Sequence, residues 1–285
     1  LLVAGVILLP IIPHLLSSEA RLRFAEVNIF SDVSIVERSN EKIAQDHDAW
    51  WAKGIHNRRI GYAIAYTKHY LDHLDPSFLF IKGDGNPKFS IQDVGQLYII
   101  ELPFLLIGVI WLLKEQRKQG ILLLYWLLTA IIPAATARET PHALRILTTL
   151  PTWQIFIGFG IFTLYKKRKK LVVLGVTLLY LFNVSYYLHN YYTHYPYEYS
   201  GEWQYGYKQA IQAAQNIASS YNRIVISDVI GRPYSYTLFY LQYDPATYLN
   251  EKDSTFDAAG FYHVYGFGKY RFIERRPPSF DPQTL

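Results

Sequence analysis

A mainly α, polytopic membrane helical bundle with a small α/β module at its C-terminal end is the fold class this sequence predicts. Three observations predict it. Nearly continuous apolar runs alternate with long polar segments, two short connectors carry the positive charge, and segment 190–285 changes to mixed helical and β-type patterns. The mean hydropathy of +0.03 hides this division, although 51% of the residues are hydrophobic.

The candidate spans are 1–16, 97–113, 121–136, 146–165 and 171–189. A membrane-crossing helix needs about 20 apolar residues, with about 17 as a lower limit. Runs 146–165 and 171–189 satisfy this, 97–113 meets the limit, and 121–136 needs Ala137 and its neighbours. The first run is cut at Leu1, and the chain contains no Met. It shows no basic n-region and no A-x-A-like site before Ser17, so the expectation is the C-terminal part of a longer membrane protein rather than a signal peptide.

Charge sets the expected orientation. The connectors KEQRKQG at 114–120 and KKRKK at 166–170 together carry a net charge of +7. The whole chain is +5, which leaves −2 for the remainder and argues against a nucleic-acid patch. Short basic loops stay cytoplasmic. Segments 17–96, 137–145 and 190–285 are then expected on the extracytoplasmic side, with a transmembrane region over 1–189 and a separate module over 190–285.

The loop ARETPHALR at 137–145 lies between two apolar runs, so its charges stay at the interface. Arg138, Glu139, His142 and Arg145 have two readings. They snorkel to anchor helix ends, or they bind an anionic group such as a lipid-linked phosphate. Lys82, Asp84, Asn86 and Lys88 ride on the irregular turn KGDGNPKFS at 82–90, whose glycines let a ligand approach the backbone. Glu101 interrupts the run 97–113, either facing a polar cavity or serving helix packing.

The stretch 57–74 has helical periodicity and suits an interfacial helix. Its His69 and His73, four apart with Asp72 and Asp75 nearby, could share a metal, but no third ligand is fixed, so no metal site is assigned. There is no Cys for a disulfide or thiolate site. Asp46, His47 and Asp48 before Trp50 and Trp51 read as the edge of another interfacial helix. In the tail, a Tyr-dense run suits an interfacial belt or sugar stacking. A helical pattern at 203–220, the β-rich run RIVISD ending at Asp228, a helical 233–243 and β-type 260–274 follow. No GxGxxG, Walker, HExxH, EF-hand or GxSxG motif occurs.

These pieces carry a resemblance. FAEVNIFSD at 24–32, HLDPSFLFIKGDGNPKFS at 73–90, LYIIELPFLLIGVIWLL at 97–113 and RETPHALR at 138–145 stand in an order similar to the C-terminal half of a GT-C glycosyltransferase. The likeness is to the protein O-mannosyltransferase-like class, dolichyl-phosphate-mannose-protein mannosyltransferase-like members included. YPYEYSGEWQYGYKQA and RPYSYTLFY in the tail belong to the same likeness. The resemblance implies a multi-pass plasma (inner) membrane enzyme that moves a sugar from a polyprenyl-phosphate carrier to an extracytoplasmic protein, lipid or glycan. Its catalytic carboxylate is expected upstream of Leu1, so no catalytic residue is transferred.

Arg138, His142 and Arg145, with Lys82 or Lys88, are then expected to bind the donor phosphate. The donor is the lipid-linked sugar, no cofactor is implied, and the pattern is silent on a divalent metal. Two alternatives stand: an O-antigen ligase or polymerase-like enzyme, and a non-enzymatic membrane protein whose tail binds glycans or a partner.

Overall fold

The computed structural model describes residues 9–15, 17, 27–167, 169–229, 231–256 and 262–273. The described chain is mostly helical with one small sheet. It divides into two compact units, Leu1–His194 and Tyr195–Leu285.

In the first unit α1 (Val33–Gln45) starts where Asp32 accepts from the Ser34 amide at 3.0 Å. That caps one of the orphan donors of a helix N-terminus. A turn with His47 and Asp48 at positive φ leads into α2 (Trp50–Ile55). Asn57 caps α3 (Arg58–Asp72), and Asp75 with Pro76 opens α4 (Pro76–Phe80). Then come α5 (Leu102–Glu115), α6 (Arg117–Ala134), a 3-10 turn at Leu144–Thr149, α7 (Thr152–Lys167) and α8 (Lys169–His189).

The expected polytopic bundle does not form. Among the described residues, one helix, Lys169–Glu198, is long and apolar enough to cross a membrane, with a mean hydropathy of 1.8 over its apolar window. It contains the run 171–189 and continues through a π turn at Asn190–His194. The other runs fail for identifiable reasons. Run 97–113 yields a helix of only 14 residues, because its first residues form a 3-10 turn and Pro103 sits at the helix start. Run 146–165 is broken before Pro151, leaving a 16-residue helix from Thr152. Run 121–136 belongs to an 18-residue helix whose first turn holds Arg117 and Lys118. At about 1.5 Å per residue the first two measure roughly 21 and 24 Å, below a hydrocarbon core of about 30 Å, and the third spends its first turn on polar residues. Run 1–16 falls largely outside the described residues, which show short turns at Leu9–Ile11 and Ile12–Leu15. The alternation that placed 17–96 and 137–145 on one side of a membrane loses its basis with these spans.

Two glycines bring α5 and α7 together. A Cβ on Gly108 would fall 1.8 Å from the Phe156 carbonyl oxygen, and one on Gly160 would fall 1.9 Å from that of Phe104. The core on either side holds Leu112, Leu127, Ile131, Ile146, Trp153 and Phe156. Its buried hydroxyls are satisfied locally: Thr149 donates to the Ile146 carbonyl and accepts from Trp153 Nε1. On the outer side Tyr66 and Tyr70 of α3 donate to the carbonyls of Ile132 and Leu128.

In the second unit α9 (Tyr207–Ile217) precedes β1 (Ile224–Ser227), followed by α10 (Pro233–Leu241) and α11 (Pro245–Glu251). Three more strands follow: β2 (Asp253–Phe256), β3 (Tyr262–Phe267) and β4 (Tyr270–Ile273). The sheet order is β1-β4-β3-β2, with β1 parallel to β4 and the other pairs antiparallel. Phe267 is buried among Tyr243, Tyr248, Tyr270 and Phe272. β1 coincides with the RIVISD run. β2, reading DSTF, has no apolar alternation to announce it.

Because the neighbours of both glycines are backbone atoms, they cannot rotate away. Gly160→Leu is expected to cost about 1–3 kcal/mol or more, read as an earlier thermal melt by circular dichroism. Wild-type melting of this variant would show that the α5–α7 approach is wrong.

Candidate functional site

The loop 137–145 is tied to two different places. Its first residues join the segment before α1. Ala137 bridges Asn28, the Arg138 amide donates to the Val27 carbonyl at 2.9 Å, and Ile29 donates to the Thr136 carbonyl at 2.8 Å. The Arg138 guanidinium repeats this link, with Nε to the Asn28 carbonyl at 3.1 Å and Nη2 to the Ser31 carbonyl at 2.8 Å.

Its later residues join the glycine-rich turn. Asp84 is buried, with Oδ2 accepting from the Ala143 amide at 2.7 Å and Oδ1 from the Asn86 amide at 2.8 Å. The Asp84 carbonyl accepts from Gln92 Nε2, and Asn86 accepts from the Lys88 amide. Gly83 has φ +74, and a side chain there would strike Ser90. His142 is buried against Phe89, with ring centroids 4.6 Å apart and Nδ1 3.8 Å from Asp84 Oδ2. Thr140 donates to Asp72 Oδ2, which also takes Lys68 at 2.9 Å.

Of the residues singled out from sequence, Asp84, Asn86 and His142 therefore meet, and they do so as a structural joint. Arg145 turns onto the Glu139 carbonyl at 3.0 Å, while the Glu139 side chain is exposed. Lys82 and Lys88 are exposed on the turn. Glu101 caps its own helix start, accepting from the Tyr98 amide at 2.8 Å, and takes the Tyr180 hydroxyl at 2.6 Å. Arg138 lines a sizeable cavity.

That cavity, of about 400 Å³, lies between α1 and α3. Gly61 makes it possible by letting α3 approach Ile35 and Ser39 of α1, where an added Cβ would sit at 3.0 and 3.2 Å. Its walls carry Arg38, Lys42, Lys68 and Arg138, together with His56 and His69, against one carboxylate, Asp32. Lys68 is paired with Asp72 and His56 with Asp46. The Arg38 and Lys42 side chains are exposed and make no hydrogen bond or ion pair among the described residues. Burial would raise the Asp32 pKa, but the hydrogen bonds from Ser34 and the charges of Arg138 and Arg38 hold it below the usual carboxylate value. The cleft is therefore net cationic. Beside it Trp50 is 87% exposed, and Trp51, Ile55, Ile60 and Ile64 are exposed as well.

The sequence reading did not single out Arg38, Lys42 or Lys68. Arg38 and Lys42 are four apart on one helix, which places them on one face. Nothing in the sequence showed that this face meets α3.

His73, one turn after His69 on α3, is fully buried, with Nδ1 on the His69 carbonyl at 2.7 Å and Nε2 unpaired. Burial lowers its pKa, against the His69 carbonyl and the Asp72 charge. Burial, then the charge of Arg145, lowers that of His142 against Asp84 and Glu139. Among the described residues no group of three or more His, Asp or Glu side chains is placed to hold a metal. No protein-family model, no curated protein and no solved structure matches the chain.

Two predictions follow from this geometry. Asp84→Ala strips the partner from the Ala143 amide and is expected to cost about 1–3 kcal/mol. Glu139→Ala, at an exposed side chain, serves as the control in the same melts, and equal melting of the two variants would refute the joint. For pH, both depressed histidines leave the unfolded chain binding more protons than the folded one below about 6.5. Their stabilisation is complete above that value and is lost as pH falls towards the folded pKa values. The melting temperature is expected to hold from about pH 8 to 7 and to fall as pH drops below about 6.5, less so in His73→Gln/His142→Gln. A drop of the same size in that double variant would count against the assignment.

Proposed function

We propose that this chain is part of a membrane-bound glycosyltransferase, and that the α1–α3 cleft holds the phosphate of its polyprenyl-phosphate sugar donor. The observation that carries this reading is the cleft itself, in which Arg38, Lys42, Lys68 and Arg138 face one carboxylate. A phosphate monoester or diester linked to a lipid needs cationic donors beside an apolar surface. The exposed Trp50, Trp51, Ile60 and Ile64 supply that surface. Arg138 is pre-oriented by its two carbonyl contacts. Donors fixed in advance stabilise a departing phosphate without reorganising during reaction.

The helix Lys169–Glu198 supports attachment to a bilayer. It opens on Lys169 and Lys170 and ends among Tyr191, Tyr192, Tyr195 and Tyr197. A basic end and an aromatic end suit the cytoplasmic and outer faces of a plasma membrane respectively, which would place the tail outside.

One observation favours a non-enzymatic reading. Asp84, Glu101, Arg138 and Arg145 each make separate contacts, with the Ala143 amide, the Tyr98 amide, the Asn28 carbonyl and the Glu139 carbonyl respectively. On that reading the cleft binds a lipid phosphate without transferring sugar.

The test is binding of polyprenyl-phosphate hexose to the full chain in nanodiscs, followed by assay of labelled sugar transfer. Arg38→Ala/Lys42→Ala is expected to weaken donor binding about 10–100-fold, and added salt to weaken it further. Unchanged affinity in that variant would remove the cleft from the mechanism. Tight, charge-dependent binding with no transfer or hydrolysis would select the non-enzymatic reading.

A further inference from the structure

The short helix α2 is inverted relative to a core helix. Of its residues WWAKGI only Ala52 is buried, at 0% exposure, while Trp50 is 87% exposed, Trp51 44% and Ile55 58%. Gly54 stands in open space, with nothing within 4 Å of where a Cβ would lie. The helix is held in this attitude from both ends. The Asp48 amide before it donates to the Ile43 carbonyl of α1 at 3.0 Å, and His56 after it sets Nε2 3.1 Å from Asp46 Oδ2. A tryptophan carries one of the largest apolar surfaces of any side chain, and a group of such surfaces left open marks a contact with something else.

The charges around α2 select the partner. Stretch 50–60, WWAKGIHNRRI, holds Lys53, Arg58 and Arg59 and no carboxylate. All three cations are exposed, and their side chains form no ion pair among the described residues. Ile60 and Ile64 of α3, four apart and so on one face, are 43% and 66% exposed and line the cleft together with Ile55. Apolar exposure thus extends from α2 to the cleft wall.

We propose that α2 and the start of α3 form an insertion element that seats in the headgroup layer of an anionic bilayer. Trp50, Trp51 and Ile55 enter the acyl boundary while Lys53, Arg58 and Arg59 meet lipid phosphates, as interfacial helices do. Tryptophan favours that level because its ring is apolar and its N–H is polar. A protein partner fits this surface less well, since lysine is depleted from protein interfaces and charges are depleted from their centres. The inference goes beyond the donor reading and does not depend on it, because bilayer contact at α2 requires neither a sugar nor its transfer.

The chain has no Cys, so one nitroxide label can be placed at one chosen position. The experiment labels Gly54→Cys and, separately, Ile55→Cys in the full chain, in nanodiscs of phosphatidylcholine with or without phosphatidylglycerol. It compares collisions of each label with oxygen and with a water-soluble nickel chelate. With the anionic lipid present, both labels are expected about 5–10 Å below the phosphates. Trp50→Ser and Lys53→Gln/Arg58→Gln/Arg59→Gln are each expected to move the Gly54→Cys label out into nickel-accessible water, and omission of phosphatidylglycerol to make it shallower. Melting at the wild-type temperature is expected for both variants, because their side chains are exposed, and it separates lost insertion from lost folding. A label open to nickel in the anionic nanodisc would overturn the proposal. So would a label shielded from both oxygen and nickel, the signature of a protein surface over α2, or unchanged depth in the triple variant. Donor binding is not read, so this test and that of the cleft fail independently.

Discussion

The first unit turns on the grip of Arg138 on the backbone before α1. Two carbonyl oxygens, of Asn28 and Ser31, take its guanidinium, while the bridge from Ala137 to Asn28 aligns the two strands of chain. Carbonyl groups at such a junction need donors, and an arginine fork is preorganised to supply them in a plane. Because Ser31 immediately precedes the capping residue Asp32, the same grip sets where α1 begins. The side chain thus fixes a helix and charges the cleft beside it. Asp84 performs the corresponding task for the other half of the loop, and it too engages the backbone, accepting from the Ala143 amide.

Helix propensity was legible in the sequence and helix length was not. The periodicity over 57–74 marks α3, and the Asp and Asn caps stand where the helices start. The apolar runs are as apolar as the sequence suggests, but hydropathy does not report where a helix breaks. Pro151 divides one run, a 3-10 turn shortens another, and Arg117 and Lys118 occupy the first turn of a third. A window average passes over each of these, whereas the backbone cannot.

The site divides along the same line. Packing brings the glycine-rich turn to ARETPHALR, where Asp84 meets Ala143 and His142. The partners of Arg145 and Arg138 are backbone carbonyls, which every residue possesses and no sequence pattern advertises. Arg38 and Lys42 gain meaning only from the approach of a second helix at Gly61. Asp228 could be seen as a strand-end acid, but its unpaired oxygen is a property of packing.

The tyrosines of α3 give the two walls of the cleft unequal stiffness. Tyr62, Tyr66 and Tyr70 recur every four residues and donate to the carbonyls of Asp32, Ile132 and Leu128. Three phenols in one row act like rungs: α3 cannot roll about its axis without releasing hydrogen bonds at several levels at once. Tyr66 and Tyr70 fasten it to α6, whereas α1 is clamped at its N-terminal end and meets α3 at Gly61. Mechanically the cleft is a vice with one fixed jaw. Widening it means swinging α1 about the Arg138 clamp, so Arg38 and Lys42 travel while Lys68 stays in place.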